Sequence, residues 1–390
     1  MNSSASGLQV DLGPLPLPSE LEPLWRDLER RAKVSFFTSW SWIGVWLKHL
    51  PSTVTPQLLK ATDEAGQVVG LGIVVRSVRR HAGLPFCEAW HLHSTGDRQQ
   101  DVVMIEHNDL LIDESVAHRV RPRLLACWQQ RAGRASELHL PGLPGSGWYP
   151  QVTKDLLRED QARTSYGVDL AAVRDKDFDY VSLLSSHARR FIRKSLKEYG
   201  KLGEVQIEVA QTVEQGLDFL AKLEALHQSR WVALGEPGAF NNPFFQTFHQ
   251  DLVRQNLPRG EIQLLRVHAG GRDLGYLYSF VRGKHLYVYQ SGFDYTVLEK
   301  HGRPGLVTHT LAVEYNARQG FDLYDLMVGE SRYKTTMATV QETMTWTVLR
   351  KPALRFQVEQ MVRDWRRKRR SAAAAKHPVP QPSLEPVEAD

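Results

Sequence analysis

The same order of segments occurs twice in this chain, and that repetition limits its fold more than any single motif does. Near the start, FFTSWSWIGVWLKHLP has the apolar spacing of a helix. It is followed by TPQLLKATDEAGQVVGLGIVVRS, which alternates like two strands about an Asp-Glu-Ala-Gly turn. Later, FNNPFFQTFHQDLVRQNLP precedes EIQLLRVHAGGRDLGYLYSFVRG in the same order. Gly66 and Gly70 flank QVV in the first hairpin; Gly271 and Gly275 flank RDL in the second. After each hairpin come an Arg-Pro pair (Arg121-Pro122, Arg303-Pro304), an apolar helix, a glycine (Gly133, Gly320) and a strand, SELHLPG or FDLYDLMVG. A Gly-flanked turn alone means little. Several shared features in one order at similar intervals predict a tandem duplication, and 390 residues are enough for two cores.

Bulk properties narrow the setting. Two cysteines, Cys87 and Cys127, without metal-like spacing, fit a reducing cytoplasm and argue against structural zinc. No apolar run has the length of a membrane span, and the first twenty residues lack a secretory pattern. The net charge of +5 is unevenly placed: residues 363–376 carry seven Lys/Arg against one Asp, while residues 1–362 sum to +2. The excess therefore sits in a tail, RDWRRKRR, which reads as a solvated helix end before a disordered terminus. Its alternative is weak contact with RNA or with the inner face of a membrane. No DNA-binding pattern is expected.

Between the halves, VSLLSSHARRFIRKSLKEYGKLG places Leu184, Phe191, Ile192, Leu196 and Tyr199 on one helical face and six Lys/Arg on the other. In the second half the pattern predicts the strand EVQIEVA, a helix capped by Thr212 and Gln215, a second helix over about 241–256, and three strands in a meander. Then LEKHGRPGLVTHTLAVEYNARQG opens a helix with Gly-Arg-Pro-Gly. Pro304 suits the first helical position, and the amides of Gly302, Arg303, Gly305 and Leu306 would be free at the positive end of the helix dipole. Such an end binds phosphate. Lacking the lysine and hydroxyl of a P-loop, it would hold a pyrophosphate as a handle, as in coenzyme A, or no ligand at all. In the earlier Arg-Pro pair, Arg123 stands where Gly305 does in the later one, so the first half reads as a structural or acceptor-binding lobe.

The region from Ser182 to Met337 resembles the GNAT-fold acyltransferases of the cellulose-biosynthesis (CelD-like) type, which are similar to tandem-GNAT peptidoglycan aminoacyltransferases. The matching pieces are HARRFIRKSLKEYGKLG, GGRDLGYLYSF, YVYQSGFD, the RPG helix start and YDLMVGESRYK, which fits the family's Asp-x3-Gly-x3-Tyr-Lys ending. The phosphate loop, Lys300-His301-Gly302-Arg303-Pro304-Gly305, departs from the standard GNAT pattern. The resemblance implies a mixed α+β (α/β) fold of tandem GNAT-like domains, each a twisted mixed sheet flanked by helices. The expected division is a first lobe over 1–166, a basic connecting helix over 167–201, an acyltransferase lobe over 202–362 and a tail over 363–390.

The implied reaction is attack of an amine or hydroxyl, on a sugar, polysaccharide or envelope precursor, upon the thioester of acetyl-CoA or another acyl-CoA. The protein must position both partners and supply donors to the developing oxyanion. Gln290, Ser291 and Gly292 are the candidates to face the thioester, and Gly302, Arg303, Gly305 and Leu306 the diphosphate. Tyr333 and Lys334 would assist the leaving thiolate; a surface pair without a role is the other reading. Asp325 would act as base, orient Lys334, or be a paired structural carboxylate. Asp294 reads as a turn former, His309 as helix packing, and Glu314 carries no assignment. The histidines and acids of HLHSTGD and EHND lack metal spacing and read as a satisfied loop cluster. No metal is expected, and no Gly-x-Ser-x-Gly elbow occurs. Trp40, Trp42 and Trp46 have core spacing. Two other functions stay open: transfer from an aminoacyl-tRNA, and a GNAT-shaped binding protein without catalysis.

Overall fold

The computed structural model describes residues 7–134, 136–145, 155–298, 300–362 and 365. The first half contains strands β1 (Gln9–Pro14), β2 (Pro56–Thr62), β3 (Val68–His81), β4 (Leu84–Leu92), β5 (Leu111–Ile112), β6 (Ser136–Pro144) and β7 (Leu157–Asp169), with helices α1 (Pro18–Glu29), α2 (Trp40–His49) and α3 (Ala117–Arg131). After the short α4 (Leu170–Arg174) and α5 (Ser186–Gly200), the second half contains β8 (Val205–Val209), α6 (Val213–Ala233), α7 (Pro243–Asn256), β9 (Ile262–Ala269), β10 (Arg272–Arg282), β11 (His285–Phe293), α8 (Pro304–Arg318), β12 (Leu323–Val328), α9 (Arg332–Met337) and β13 (Val340–Arg350).

All the strands join one mixed sheet in the order β1-β2-β3-β4-β6-β13-β7-β12-β11-β10-β9-β8, with β5 attached to β3. Each half makes an antiparallel meander of four strands followed by a parallel partner: β4 pairs with β6, and β11 with β12. The last strand of each half lies beside the parallel strand of the other, β13 on β6 and β7 on β12, and these two strands pair with each other along the whole of β13. Read from either end, the sheet therefore repeats the same sequence of strand types.

Helices cover both faces because the strands of this sheet are buried on both. α3 covers β1 to β3 over a core of Leu59, Trp90, Leu124 and Trp128. α8 and α5 cover one face of the second meander through Val307, Val313, Ile192 and Tyr199. The opposite face, under α6 and α7, merges with the Trp-rich helix of the first half: Trp42 lies edge-on to Phe248 at 4.9 Å, and Phe36 stacks on Phe280 at 4.4 Å. Trp40, Trp42 and Trp46 are all buried there, which explains their spacing.

Two sequence expectations change. The pair Arg121-Pro122 does not open a helix: α3 begins at Ala117 and Pro122 lies inside it, so no mouth like that of α8 exists there. The segment GESRYKTTM is not only loop, because Arg332–Met337 forms α9. The basic tail falls outside the described residues except for Trp365. Among the described residues no helix is long and apolar enough to cross a membrane.

Candidate active site

The parallel pair β11–β12 is joined over only three residues, His285–Tyr287 against Leu323–Asp325. Beyond them both strands shift register against their outer neighbours. Tyr289 is the extra residue of β11 between Tyr278 and Ser279 of β10, and β12 shifts against β7 between Asp325 and Met327, where Met327 takes φ 66°. Bulges add local twist and leave backbone groups outside the ladder. Two at one level on neighbouring strands spread the pair into a V that opens toward its C-terminal ends.

α8 begins at the open end of that V. Pro304 is its first residue, and a Cβ on Gly305 would stand 3.1 Å from the ring of Phe293, the last residue of β11. His301 and Arg303 both hold left-handed backbone, at φ 64° and 43°, each at a cost of about 1–3 kcal/mol. Among the described residues the amides of Gly305 and Leu306 have no partner. The mouth is flanked by α5: Ser195 Oγ donates to the His301 carbonyl at 2.7 Å, Lys194 Nζ is 3.0 Å from His301 Nε2, and the Arg303 guanidinium covers Phe191 at 3.9 Å. Side chains therefore frame this helix end with cations.

Strand alternation sends Tyr324 to the α8 face and Asp325 to the other. On the α8 face, the Tyr324 hydroxyl is 2.9 Å from His309 Nδ1, and Tyr333 stacks on His309 at 5.3 Å. His309 Nε2 is buried with no partner among the described residues. Burial, and then the charge of Lys334, lower the His309 pKa to about 3, so the ring is neutral. Burial raises the Tyr333 pKa, so its phenol keeps its proton.

On the other face, Asp325 is only 4% exposed. Its Oδ1 accepts from Ser165 Oγ at 3.1 Å and from the Met327 amide at 2.7 Å; its Oδ2 meets His285 Nε2 at 3.1 Å. His107 Nε2 lies 2.9 Å from the same Oδ2, off the line of an aligned hydrogen bond, so the contact is that of an ion pair. Burial works against the carboxylate, yet His107 and His285 outweigh it and hold the Asp325 pKa well below the usual range. Burial likewise opposes charge on His107, but Asp325 and Glu106 raise its pKa. Glu106, one residue earlier, accepts from the Val328 amide at 2.9 Å, and burial raises its pKa. Lys334 Nζ donates to the carbonyls of Met327 at 3.2 Å and Val328 at 2.9 Å; burial lowers its pKa, against the pull of Glu106 and Asp325.

The structure thus brings Asp325, Tyr333 and Lys334 around one vertex, with Gly302, Arg303, Gly305 and Leu306 at the open end. Asp325 orients the histidines rather than Lys334, which it influences only through its charge. Gly292 has a different use from the one expected: a Cβ there would lie 2.5 Å from the Leu223 carbonyl, so its bare backbone admits α6 and not a ligand. Gly292→Ala is expected to cost about 1–3 kcal/mol of stability by urea unfolding. Stability unchanged alongside weakened donor binding would return Gly292 to the site. Ser291 and Gln290 lie between it and the bulge.

Glu106, His107 and His285 were missed. The loop EHND is not an isolated cluster; it crosses from the first half to Asp325, pinned by Asn108, whose amide donates to Gly142 and whose side chain meets His93. The alternation of His285 with Tyr287 on β11 was the one visible signal for His285. The sequence predicts no metal, but donor atoms of His107, His285 and Asp325 converge within 4.8 Å, a set that suits a divalent ion. Ser165, Met327 and His285 hold Asp325 by hydrogen bonds, and His107 adds an ion pair on the same carboxylate.

Residues 186–335 match the profile of a family described as Acetyltransferase (GNAT) domain. The chain carries a GNAT acetyltransferase-type domain. That domain spans α5 to α9 and includes the splayed pair, the α8 mouth and Lys334. No curated protein matches the sequence. Among solved structures, FemX aligns at TM-score 0.51 and 11% identity over 91% of this chain and 99% of its own. L-PGS from Bacillus licheniformis aligns at 0.52 and 11% over 90% and 97%. The C-terminal domain of a putative lysylphosphatidylglycerol synthetase from Agrobacterium fabrum aligns at 0.50 and 10% over 88% and 95%. At these identities the likeness is one of fold, and it extends over both halves around the GNAT domain.

Proposed function

We infer that the protein is an acyltransferase that moves an acyl group from acyl-CoA, acetyl-CoA being the simplest, to an amine or hydroxyl of a sugar, polysaccharide or envelope precursor of the kind the CelD-like resemblance implies. The observation that carries this reading is the helix mouth at the open end of a splayed strand pair whose vertex holds Lys334 and the His107–Asp325–His285 cluster. In this reading the amides of Gly305 and Leu306, with Arg303 and Lys194, take the diphosphate. The arm of the carrier runs down the V, and the thioester carbonyl meets the amides freed by the bulge at Tyr289 and Gln290. The acceptor reaches the vertex from the Glu106 side, where the Glu106 carboxylate, its basicity raised by burial, takes its proton as the new bond forms, and the His107–Asp325 ion pair lies beside it. The departing thiolate is met by Lys334 and the protonated Tyr333.

The two halves serve as a duplicated pair in this proposal, the first binding the acceptor. An open cleft of about 680 Å³, lined by Ser77, Arg79, His91, Asp97, His139 and Trp346 among others, lies on the β3-β4-β6-β13 face of that half. Its rim includes Ser94 to Arg98, part of the connection whose far end delivers Glu106 and His107. The exposed cations of α5 (Arg190, Arg193, Lys194 and Lys197) beside the mouth also support a second reading, an aminoacyl-tRNA donor, which predicts steeply salt-dependent RNA binding.

Calorimetric titration with acetyl-CoA tests the donor. The wild-type chain should give a clear heat, and Arg303→Glu, which reverses the charge at the mouth, should weaken binding at least about tenfold. The absence of heat with every acyl-CoA up to millimolar concentration would overturn the acyl-CoA reading.

A further inference from the structure

The chain beyond β13 turns into a helix over 354–362 whose inward face is well anchored. Phe356 is 3% exposed and meets Phe86 at 5.9 Å edge-on; Glu359 takes the Arg79 guanidinium at 2.7 and 2.9 Å; Arg355 donates to the Phe86 carbonyl. Its outward face is apolar. Leu354 is 74% exposed, Val358 47%, Met361 62% and Val362 41%, and helical Trp365 is 54% exposed. Positions 354, 358, 361 and 365 form one stripe along three helical turns. Five of the sixteen exposed large hydrophobic residues among those described fall within these twelve positions, so the stripe is a concentration and not scattered surface.

The sequence adds a second, independent feature. Residues 363–370, RDWRRKRR, hold six Lys/Arg and one Asp, whereas residues 1–362 sum to only +2. Cations alone would suit RNA, and an aliphatic stripe alone would suit a protein groove. A stripe of Leu, Val, Met and Trp that runs into a polybasic segment matches an anionic bilayer surface. There the apolar side chains enter the boundary between headgroups and acyl chains, tryptophan sits at headgroup level, and the cations neutralise lipid phosphate.

We propose that the exposed face of Leu354, Val358, Met361, Val362 and Trp365 docks the protein reversibly on anionic phospholipid surfaces, the sequence that follows it supplying the positive charge such a surface attracts. The proposal stands apart from the acyl-transfer reading, since it needs neither donor nor acceptor. It is tested by co-sedimentation of the full chain with vesicles of phosphatidylcholine alone and of phosphatidylcholine mixed with phosphatidylglycerol, over a range of salt. The wild type should bind the mixed vesicles at least about tenfold more strongly than the neutral ones and lose binding as salt rises.

Val358→Glu combined with Met361→Glu changes exposed side chains only, and should reduce binding at least about tenfold. Replacing Arg366 to Arg370 by glutamine should do the same while leaving the stripe intact. No binding to mixed vesicles overturns the proposal. So does binding that survives the Val358→Glu, Met361→Glu change, which would reduce the segment to a polyelectrolyte of the RNA-binding kind. Ultracentrifugation without lipid supplies a further check: a dimer that the same double substitution dissolves would assign the stripe to a second copy of the chain and reject the lipid.

Discussion

Replacing Lys334 by methionine is expected to lower kcat/KM for acyl transfer by about 10²- to 10³-fold while leaving acyl-CoA affinity within a few-fold of wild type. Methionine keeps the length and the burial, so the change isolates the charge. In the folded chain Lys334 Nζ holds the carbonyls of Met327 and Val328, the two residues where β12 swings away from β11. In the proposed reaction its charge stands at the vertex, where the thiolate would leave. Removing it also leaves Glu106 and Asp325 facing each other's charge without a lysine between them, which raises the Glu106 pKa further. Stability should fall by about 1–3 kcal/mol for the carbonyls left bare. The loss should appear in kcat, because the charge is needed most in the transition state. Adding Tyr333→Phe removes the other proton donor on α9, and the two changes should be non-additive because both act on one leaving group. Thiol release by the double variant at the wild-type rate would reject the assignment while leaving the fold untouched.

The repeated order of hairpin, helix and strand was legible because alternation and helical spacing are local properties, and the elements appear where Thr212, Pro304 and the Gly-flanked turns put them. The α8 mouth was legible for the same reason. The exchange of β7 and β13 between the halves was not, since a strand's pattern shows which face is buried and not which strand lies beside it. The echo at Arg121-Pro122 misled because a proline can occupy the second turn of a helix that has already begun at Ala117. Glu106 and His107 were hidden by distance: they sit 218 and more residues before Asp325 in a loop without helical or strand spacing, and only the folded sheet brings them to the β12 vertex. Lys334 was found through the Tyr-Lys ending, but its partners are backbone carbonyls, which no side-chain motif can announce.

The protein is also expected to lose stability steeply as the pH falls from 7 to 5. Three buried histidines are held neutral by the fold: burial lowers the pKa of His91 and of His309 to about 3, and that of His93 to about 4. In the unfolded chain each titrates near the ordinary value of about 6.5. Below that value the unfolded state binds three protons that the folded state refuses, so the free energy of unfolding falls with pH, by about 1.4 kcal/mol per unit for each ring. Summed, the loss between pH 7 and pH 5 is about 6 kcal/mol, comparable with the whole stability of many domains. His249 and His227, also lowered by burial, act in the same direction. His107 offsets the loss only at the top of the window: its raised pKa gives a contribution that grows as the pH falls to about 6.5, is complete below that value, and leaves the fall toward pH 5 unrelieved. Asp325 adds its own loss only once the pH approaches the ordinary carboxylate range. Urea unfolding at a series of pH values measures the slope, and His93→Gln, which can still reach the Asn108 side chain, should remove about one third of it. A stability constant to within about 1 kcal/mol over that window would mean that these rings accept protons in the folded state. For His309 such protonation would place a second cation beside Lys334 between Tyr324 and Tyr333, against the burial and the charge that hold the ring neutral.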